Sequence, residues 1–393
     1  MANSILTPTM VTREALRVLH QKLNFVGAIN RQYDDSFAKS GAKIGDTLKI
    51  RLPNQYTVRT GATISTQDTS ETSVSLQVAT QKGVDVNFSS VDLTLNLDDF
   101  SKRILQPAMA VLAAAIESDA LSMYKDVYNQ VNNIGSTATF RKLLDVRKAL
   151  VDNLAPPGDR TMTLNTTDNA DMVDVLKGLF QDSGSLAKQY KDGLLGHTAG
   201  FDFYENTLLP KHASGTDASN CTVNGANQTG ATITIANGSS KTFKQGDIVT
   251  FAGCNRVHPE TKADTGVLQT FVVTADVGAG GTTMNISPSI VTSGATQNVA
   301  ASPTNGGTVT KQGGASATYG ISLGFHQDAF AIAFADLVMP RDAHFAAREV
   351  QDGISMRIWQ AGDIINDKFP CRIDVLYGYK TVRAQLACRF ANN

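Results

Sequence analysis

The sequence is short of almost everything that marks an enzyme. Its six histidines (His20, His197, His212, His258, His326 and His344) are scattered, and none stands three or four residues from another. That spacing is what sets two imidazoles on one helix face to share a metal. Its four cysteines, Cys221, Cys254, Cys371 and Cys388, form no CxxC pair and are too few to staple a chain of 393 residues. Reduced, mostly buried thiols are expected. No GxxxxGK[ST], HExxH, GxSxG or EF-hand loop occurs. The run GAGGTT beginning at Gly278 lies between two strand-like stretches, and reads as a hairpin turn rather than a phosphate cradle. The acidic doublets Asp34-Asp35 and Asp98-Asp99 are explained by a solvated loop and a helix cap, with nothing to mark a general acid and base. No catalytic, cofactor-binding or metal-binding residue is therefore expected. Charge is also scarce: 18% of residues are charged and the net charge is −1. No global attraction to nucleic acid follows from that balance. No apolar run reaches membrane-spanning length, and MANSILTPTMVTREAL lacks the basic and apolar regions of a signal peptide. The N-x-S/T sequons at Asn165, Asn220 and Asn227 follow from an Asn/Ser/Thr-rich composition.

What is present is apolar pattern. Hydrophobic residues make up 42% of the chain, enough for a substantial core and two or three domains. From Asp98 to Val131, apolar residues recur at Phe100, Ile104, Ala108, Leu112, Ala115, Met123, Val127 and Val131. Those intervals predict one long helix, capped by Asp98 and bent at Pro107, which has no N–H to donate. Such a helix is either the core of an enzyme domain or a structural spine with sheets laid against it. Both readings stand on the helix alone.

Around it the order of elements is legible. Residues 1–45 begin with a short amphipathic helix, capped by Thr12 and apolar on Leu16, Leu19, Leu23 and Val26. One such helix cannot bury its own face, so this segment is expected to be an arm crossing a surface. Residues 46–90 alternate, with Leu48, Ile50 and Leu52, then Val74, Leu76 and Val78, then Val84, Val86 and Phe88 on single faces. The polar tip RTGATISTQDTSET between the first two runs should project from the body. Arg51 and Arg59 in this hairpin are candidates for contact with carboxylates of a neighbouring chain, and equally ordinary solvated surface. After the long helix, one amphipathic helix uses Phe140, Leu143, Leu144, Leu150, Val151 and Leu154, ended by Pro156, Pro157 and Gly158. A second, capped by Asp168, uses Met172, Val175, Leu176, Leu179 and Phe180, with the strand TMTLN between the two.

From about 213 to 315 the composition turns to Gly, Ser, Thr, Asn and Ala, and four strands stand out: ATITIA, DIVTFAG, LQTFVVTADV and TTMNISPSIV. Turns at Asn237-Gly238, Gln245-Gly246-Asp247 and Gly278 to Gly281 separate them. An inserted all-β, barrel-like domain is expected, with HASGTDASN and SPTNGGTVTKQGGASAT as linkers. The rest returns to β pattern at Phe330, Ile332 and Phe334, then Ile354, Met356 and Ile358, with Trp359 partly buried on a sheet. The last run is apolar on odd positions from Cys371 to Tyr377 and on even positions from Val382 to Phe390, predicting a bend or bulge at Gly378.

An arm, a projecting hairpin, a long helix, an α/β domain with an insertion and a closing β segment, in that order, resemble the major capsid protein of tailed double-stranded DNA bacteriophages. The carrying stretches are IRLPNQYTVRTGATIS through VNFSSVDLTLNLDDFSKRILQPA, GFDFYENTLLPKH, and KTFKQGDIVTFAGCNRVHPET. Within that group the chain is similar to the coat protein of the Salmonella podophage type, which carries an inserted β-barrel. The resemblance implies an α+β, Hong Kong ninety-seven-type capsid fold with a barrel-like insertion. It implies an N-terminal arm at 1–45, an extended loop at 46–90 and a peripheral domain with the spine helix at 91–135. The axial domain would begin at 136–212, the inserted barrel occupy 213–315, and residues 316–393 close the axial and peripheral domains. It further implies self-assembly as pentamers and hexamers into an icosahedral head shell, in a non-enzymatic role. The partners would be a scaffolding protein (no long coiled-coil segment opens the chain), a portal protein at one vertex and packaged double-stranded DNA held without sequence specificity, with no membrane. The product would be the virion capsid, assembled in the host cytoplasm. The alternatives are a tail or surface-layer subunit, and an enzyme with an appended β-barrel.

Overall fold

The computed structural model describes residues 8–31, 47–59, 61–64, 66–68, 71–88, 105–176, 196–217, 221–339, 345–351, 353–361 and 369–392. In chain order, α1 (Pro8–Lys22) and α2 (Phe25–Ala28) precede β1 (Thr47–Arg51), β2 (Ser73–Gln77) and β3 (Thr80–Phe88). Then come α3 (Gln106–Leu121), β4 (Gln130–Asn132), α4 (Phe140–Asp152), β5 (Arg160–Leu164) and α5 (Thr166–Leu176). Short strands β6 (His197–Thr198), β7 (Phe201–Glu205) and β8 (Lys211–Ala213) lead to β9 (Cys221–Val223), β10 (Gly230–Ala236) and β11 (Ile248–Val257). These are followed by β12 (Asp264–Val273), β13 (Thr283–Ile290), β14 (Thr308–Lys311) and β15 (Thr318–His326). The chain ends with β16 (Phe330–Ala335), β17 (Phe345–Gln351), β18 (Ile354–Gln360), β19 (Phe369–Thr381) and β20 (Ala387–Asn392). It is a mixed α+β fold of two compact units.

The first unit comprises Met1–Arg51, Ser73–Leu121 and Phe330–Val382. Its five-stranded sheet runs β16-β19-β18-β17, with β3 antiparallel to β19. β1 and β2 form the expected antiparallel hairpin, Leu48 opposite Leu76 and both buried, with Lys49 and Ser75 facing out. α3 is the helix described within the stretch expected to form one long helix. It buries two adjacent rows, Ala108, Leu112, Ile116 and Ala120 beside Met109, Ala113, Glu117 and Leu121. Residues 89–104, with the Asp98 cap, lie outside the described residues.

Three expectations need correction in this unit. The long helix stops at Leu121 instead of running to Val131. A 3-10 turn, Ser122–Asp126, follows, and Val131 belongs to β4. Valines at 127 and 131 favour extended chain, asparagines at 129, 132 and 133 are poor helix formers, and a sheet partner claims the segment. Second, Thr12 lies buried inside α1, which begins at Pro8, a residue suited to a first turn because its missing N–H has no helical partner there. α1 and α2 bury Leu16, Leu19, Leu23 and Val26 within the unit itself. The surface the N-terminal segment crosses is thus its own chain, and Glu117 of α3 accepts from the amides of Phe25 and Val26, both at 3.2 Å. Third, β19 runs unbroken through Gly378, with Ala333 opposite. Glycine is needed there because the backbone of Gln77 passes so close that an added Cβ would stand 2.1 Å from its carbonyl oxygen.

The second unit comprises Leu52–Thr72, Ser122–Ala329 and Arg383–Asn393. Its seven-stranded sheet has the order β4-β20-β15-β5-β7-β6, with β8 also paired to β15. β20 pairs β4 in parallel and β15 antiparallel, so the last strand of the chain sits inside the sheet. The odd-to-even switch after Gly378 therefore marks passage from one sheet to another, through a 3-10 turn at Ala384–Leu386. α4 packs on this sheet through Val146, which reaches the bare Cα of Gly324. Leu143, Val146 and Leu150 form its buried face, whereas Val151 and Leu154 are exposed. Asp168 does not cap α5. Asn165 does, accepting from the Asp168 amide at 2.7 Å, and the Asp168 carboxylate turns inward. Leu179 and Phe180 lie outside the described residues.

Between β8 and β15 the chain forms a closed six-stranded barrel, β10-β13-β12-β11-β14-β9. Its core includes Val223, Ile235, Phe243, Phe251, Phe271 and Met284. The four anticipated strands are all in it. The supposed linkers supply more: β8 lies in the first, and β14 lies in the second and, with β9, closes the barrel. Closure removes the free edges that a four-stranded sheet would expose.

Candidate assembly surfaces

No described residues group as three or more potential metal ligands. All four cysteines are free and buried, and burial pushes each thiol up to about 12. Thiols held protonated in this way are not nucleophiles at neutral pH.

The loop at 52–72 is built differently from a solvated linker. Leu52 N–H donates to Thr72 O at 2.9 Å, continuing the hairpin one step. Further out, Gln67 acts as a cross-strand peptide: its Oε1 accepts from Thr57 N–H at 2.9 Å and its Nε2 donates to Thr57 O at 2.6 Å. Arg59 folds over the tip, its Nη1 donating to the carbonyls of Gly61 and Thr63. On this braced ribbon stand Tyr56, Val58 and Ile64, exposed to 57%, 95% and 79%. Large apolar groups shown to water on a shaped loop are the usual signature of a surface that another protein covers. The composition of the tip gave no hint of them, because only Ile64 lies within it and Tyr56 and Val58 precede it.

The residues singled out from sequence lie on two elements. Arg51 ends β1, exposed and in register with Ser73. Arg59 shapes the loop tip, as above. Pro107 is the second residue of α3 and exposed. Arg51 and Arg59 thus share one hairpin excursion, and Pro107 belongs to a separate element.

A second group, at the base of the barrel, escaped sequence reading. The Asp247 carboxylate, wholly buried, accepts from His212 Nε2 at 2.9 Å, Gly215 N–H at 3.0 Å and Lys244 N–H at 2.8 Å. His212 Nδ1 meets the Tyr124 hydroxyl at 3.2 Å. Lys311 Nζ donates to Ser214 Oγ, Gly215 O and Gly314 O, and burial holds its pKa below the usual lysine value. Arg389 of β20 reaches in and donates Nη1 to Gly246 O at 2.8 Å, its guanidinium 5.9 Å from the centre of the Tyr124 ring. Gly246 has φ +96°, and an added Cβ would stand 3.0 Å from the His212 ring, so both conformation and space ask for glycine. The Gln245-Gly246-Asp247 turn was visible in the sequence. Its partners lie 35 and 143 residues away, where no local signal points.

The family model described as P22 coat protein, gene protein 5, matches residues 3–388 of the chain. No curated protein matches the chain by sequence. Among solved structures, one from Mycobacterium phage Che8 is similar over 94% of this chain and 90% of its own, at 14% identity and a TM-score of 0.48. The capsid of the cyanophage P-SCSP1u is similar over 91% of this chain and 85% of its own, at 11% identity and a TM-score of 0.44. The capsid of Ralstonia phage GP4 is similar over 93% and 86%, at 7% identity and a TM-score of 0.41.

Proposed function

We propose, from the premise that the chain belongs to the P22 coat protein family and is a major capsid protein of tailed bacteriophages, that the 52–72 loop is the element by which one copy in the shell grips the next. The observation that carries this is the exposure of Tyr56, Val58 and Ile64 on a ribbon held in shape by Gln67 and Arg59. Copies of the chain build the virion shell as a homo-oligomer, and the proposal extends this to pentamers and hexamers on an icosahedral lattice. Burying the three side chains against a neighbour is worth about 1.5 kcal/mol or more each. Modest contacts of that size, repeated through a closed symmetric assembly, suffice to hold it together. Arg51 and Arg59 stand on the same excursion as the apolar residues and would meet carboxylates of the neighbouring copy.

The proposal keeps the domain limits given above. Residues 91–135 carry the spine helix of the peripheral domain, 136–212 with part of 316–393 serve as the axial domain and 213–315 as the insertion on the outer face. Pro107 is the proposed site at which the spine bends or straightens as the shell fills. A scaffolding protein guides assembly, a portal protein takes one vertex, and double-stranded DNA lies against the inner face without sequence readout, consistent with a net charge of −1. Assembly takes place in the host cytoplasm without catalysis by the chain. No helix among the described residues is long and apolar enough to cross a membrane.

Negative-stain electron microscopy of the overexpressed chain tests this reading. Closed shells or polyheads are expected, and replacing Tyr56, Val58 and Ile64 together by serine should leave folded subunits that do not assemble. A small monomer with turnover of a substrate, or a triple variant that closes shells as readily as the native chain, would overturn it. Open tubes or rings would favour a tail subunit.

A further inference from the structure

The buried group at the barrel base contains a cation that stability alone does not explain. Arg389 is fully buried, yet only Nη1 has a hydrogen-bond acceptor, and its Nε and Nη2 have none. Burying a guanidinium with most of its donors unmet is costly. An apolar side chain of similar length would fill the same space without that cost. Buried ionic groups of this kind are best understood where they fix one arrangement among several that hydrophobic packing would allow.

The arrangement at stake here is the seat of the barrel. Much of what the barrel rests on is apolar and non-directional: Ile248 and Val272 pack with Tyr128, and Ala384 lies against them. Such a contact tolerates rotation and sliding. Directional bonds come from the polar group and from Arg256 of β11, whose Nη2 donates to Asp152 Oδ2 at the end of α4 at 3.1 Å. Arg389 anchors Gly246 O to β20, His212 of β8 anchors Asp247, and Lys311 at the end of β14 anchors the first connecting segment at Ser214 and Gly215. Two anchors meet adjacent residues of one turn from different strands of the sheet, so neither rotation nor sliding can satisfy both.

We propose that the Arg389–Asp247–His212 group is a positioning device that fixes the orientation of the inserted barrel on the seven-stranded sheet. Resting on the capsid reading above, this orientation sets the geometry of whatever contacts the barrel offers to other copies in the shell. Arg389 and Asp247 are positioning residues, and their role is read as uniqueness of placement.

The test uses the full-length, unassembled chain, so it answers whether or not the chain closes shells. The four native cysteines are buried, so spin labels can be placed at Arg141→Cys on α4 and Thr234→Cys on β10, both exposed positions. Double electron–electron resonance should give one narrow distance in the native background. Arg389→Met should broaden or split that distribution, while the melting temperature stays level or rises. Asp247→Asn, which preserves shape, should broaden it as well and serves if the first variant does not fold. A distribution that stays as narrow as the native one in the folded variants would overturn the proposal. So would a lower melting temperature with unchanged distances, because Arg389 would then be merely stabilising.

Discussion

Two glycines of the first unit should respond to the same substitution with opposite sign. At Gly378 an added methyl would meet only backbone: 2.1 Å to Gln77 O, 2.8 Å to Gln77 C and 2.9 Å to Val78 Cα. Relief requires the end of β2 to retreat by about 1 Å, and close-packed interiors have no such slack. Gln77 is paired with Thr47 across the hairpin, and Leu76 and Val78 on either side of it are fully buried. The retreat therefore unseats the hairpin base as a whole. Overpacking of side chains costs about 1–3 kcal/mol. Because both partners here are backbone, Gly378→Ala should cost about 3 kcal/mol or somewhat more. Gly27 lies in α2, without a left-handed φ, and a methyl added to it would have nothing within 4 Å. Gly27→Ala should stabilise by about 0.5 kcal/mol, since alanine has less freedom to lose in a helix.

The assay has a local reporter. Trp359 is the sole tryptophan and sits in β18, paired with Arg372 of β19. Its fluorescence in a urea titration follows the sheet that carries Gly378. The expected result is a lower midpoint for Gly378→Ala and a slightly higher one for Gly27→Ala, both with unchanged slope. A Gly378→Ala midpoint indistinguishable from native would refute the claim that the Gln77 backbone dictates glycine there. A fall for Gly27→Ala would refute the reading of open space.

Glu117→Ala leaves the amides of Phe25 and Val26 buried without this acceptor, at about 1–3 kcal/mol each; limited proteolysis should then cut ahead of residue 30 while the β-sheet core persists, and unchanged resistance would count against the tether. Asp168 is held above the usual carboxylate range, chiefly by burial. A raised folded pKa contributes stability present below the unfolded value and lost as pH rises through the folded one. Native chain measured against Asp168→Asn should therefore gain stability as pH falls from neutral toward the ordinary carboxylate range, and a difference that is flat or reversed in denaturant titrations would contradict the placement of this carboxylate.

Sequence pattern revealed those parts of the fold whose partners are near in the chain or whose faces are plainly amphipathic. Leu48 and Ile50 opposite Val74 and Leu76 could be read because alternation and hairpin proximity agree. The end of the long helix could not. Met123 and Val127 are buried at the positions a continuing helix would bury them, so the spacing is satisfied by the wrong conformation. What makes Val131 a strand residue is β20, whose Arg389, Phe390 and Ala391 pair with Gln130, Val131 and Asn132 from the far end of the chain. β9 and β14 were missed for a related reason. CTV and TVTK are too short to show a period, and they are strands because a barrel needs them to close. Arg389 gave no warning either. In an alternating run of buried Cys388 and Phe390 it occupies the position a reader assigns to solvent.

The same topology explains how a barrel of this size can interrupt a sheet without dissolving it. The strands on either side of the insertion pair directly, Ala213 with Thr318, His212 with Tyr319 and Lys211 with Gly320. Chain enters and leaves the barrel as the two arms of an antiparallel pair, so the ends to be joined are already adjacent. The entropy of closing a long excursion rises only with the logarithm of its length. Lengthening a turn between β8 and β15 into a folded domain therefore adds little cost beyond that of the turn. It does add a problem of orientation, because two connections alone do not fix how a domain sits. Ser214 and Gly215 on one connection and Gly314 on the other converge on Lys311, while His212 at the exit of β8 grips Asp247. Lys311, His212 and Asp247 thus gather at the two chain crossings, where directional bonds restore the placement that apolar contact leaves loose.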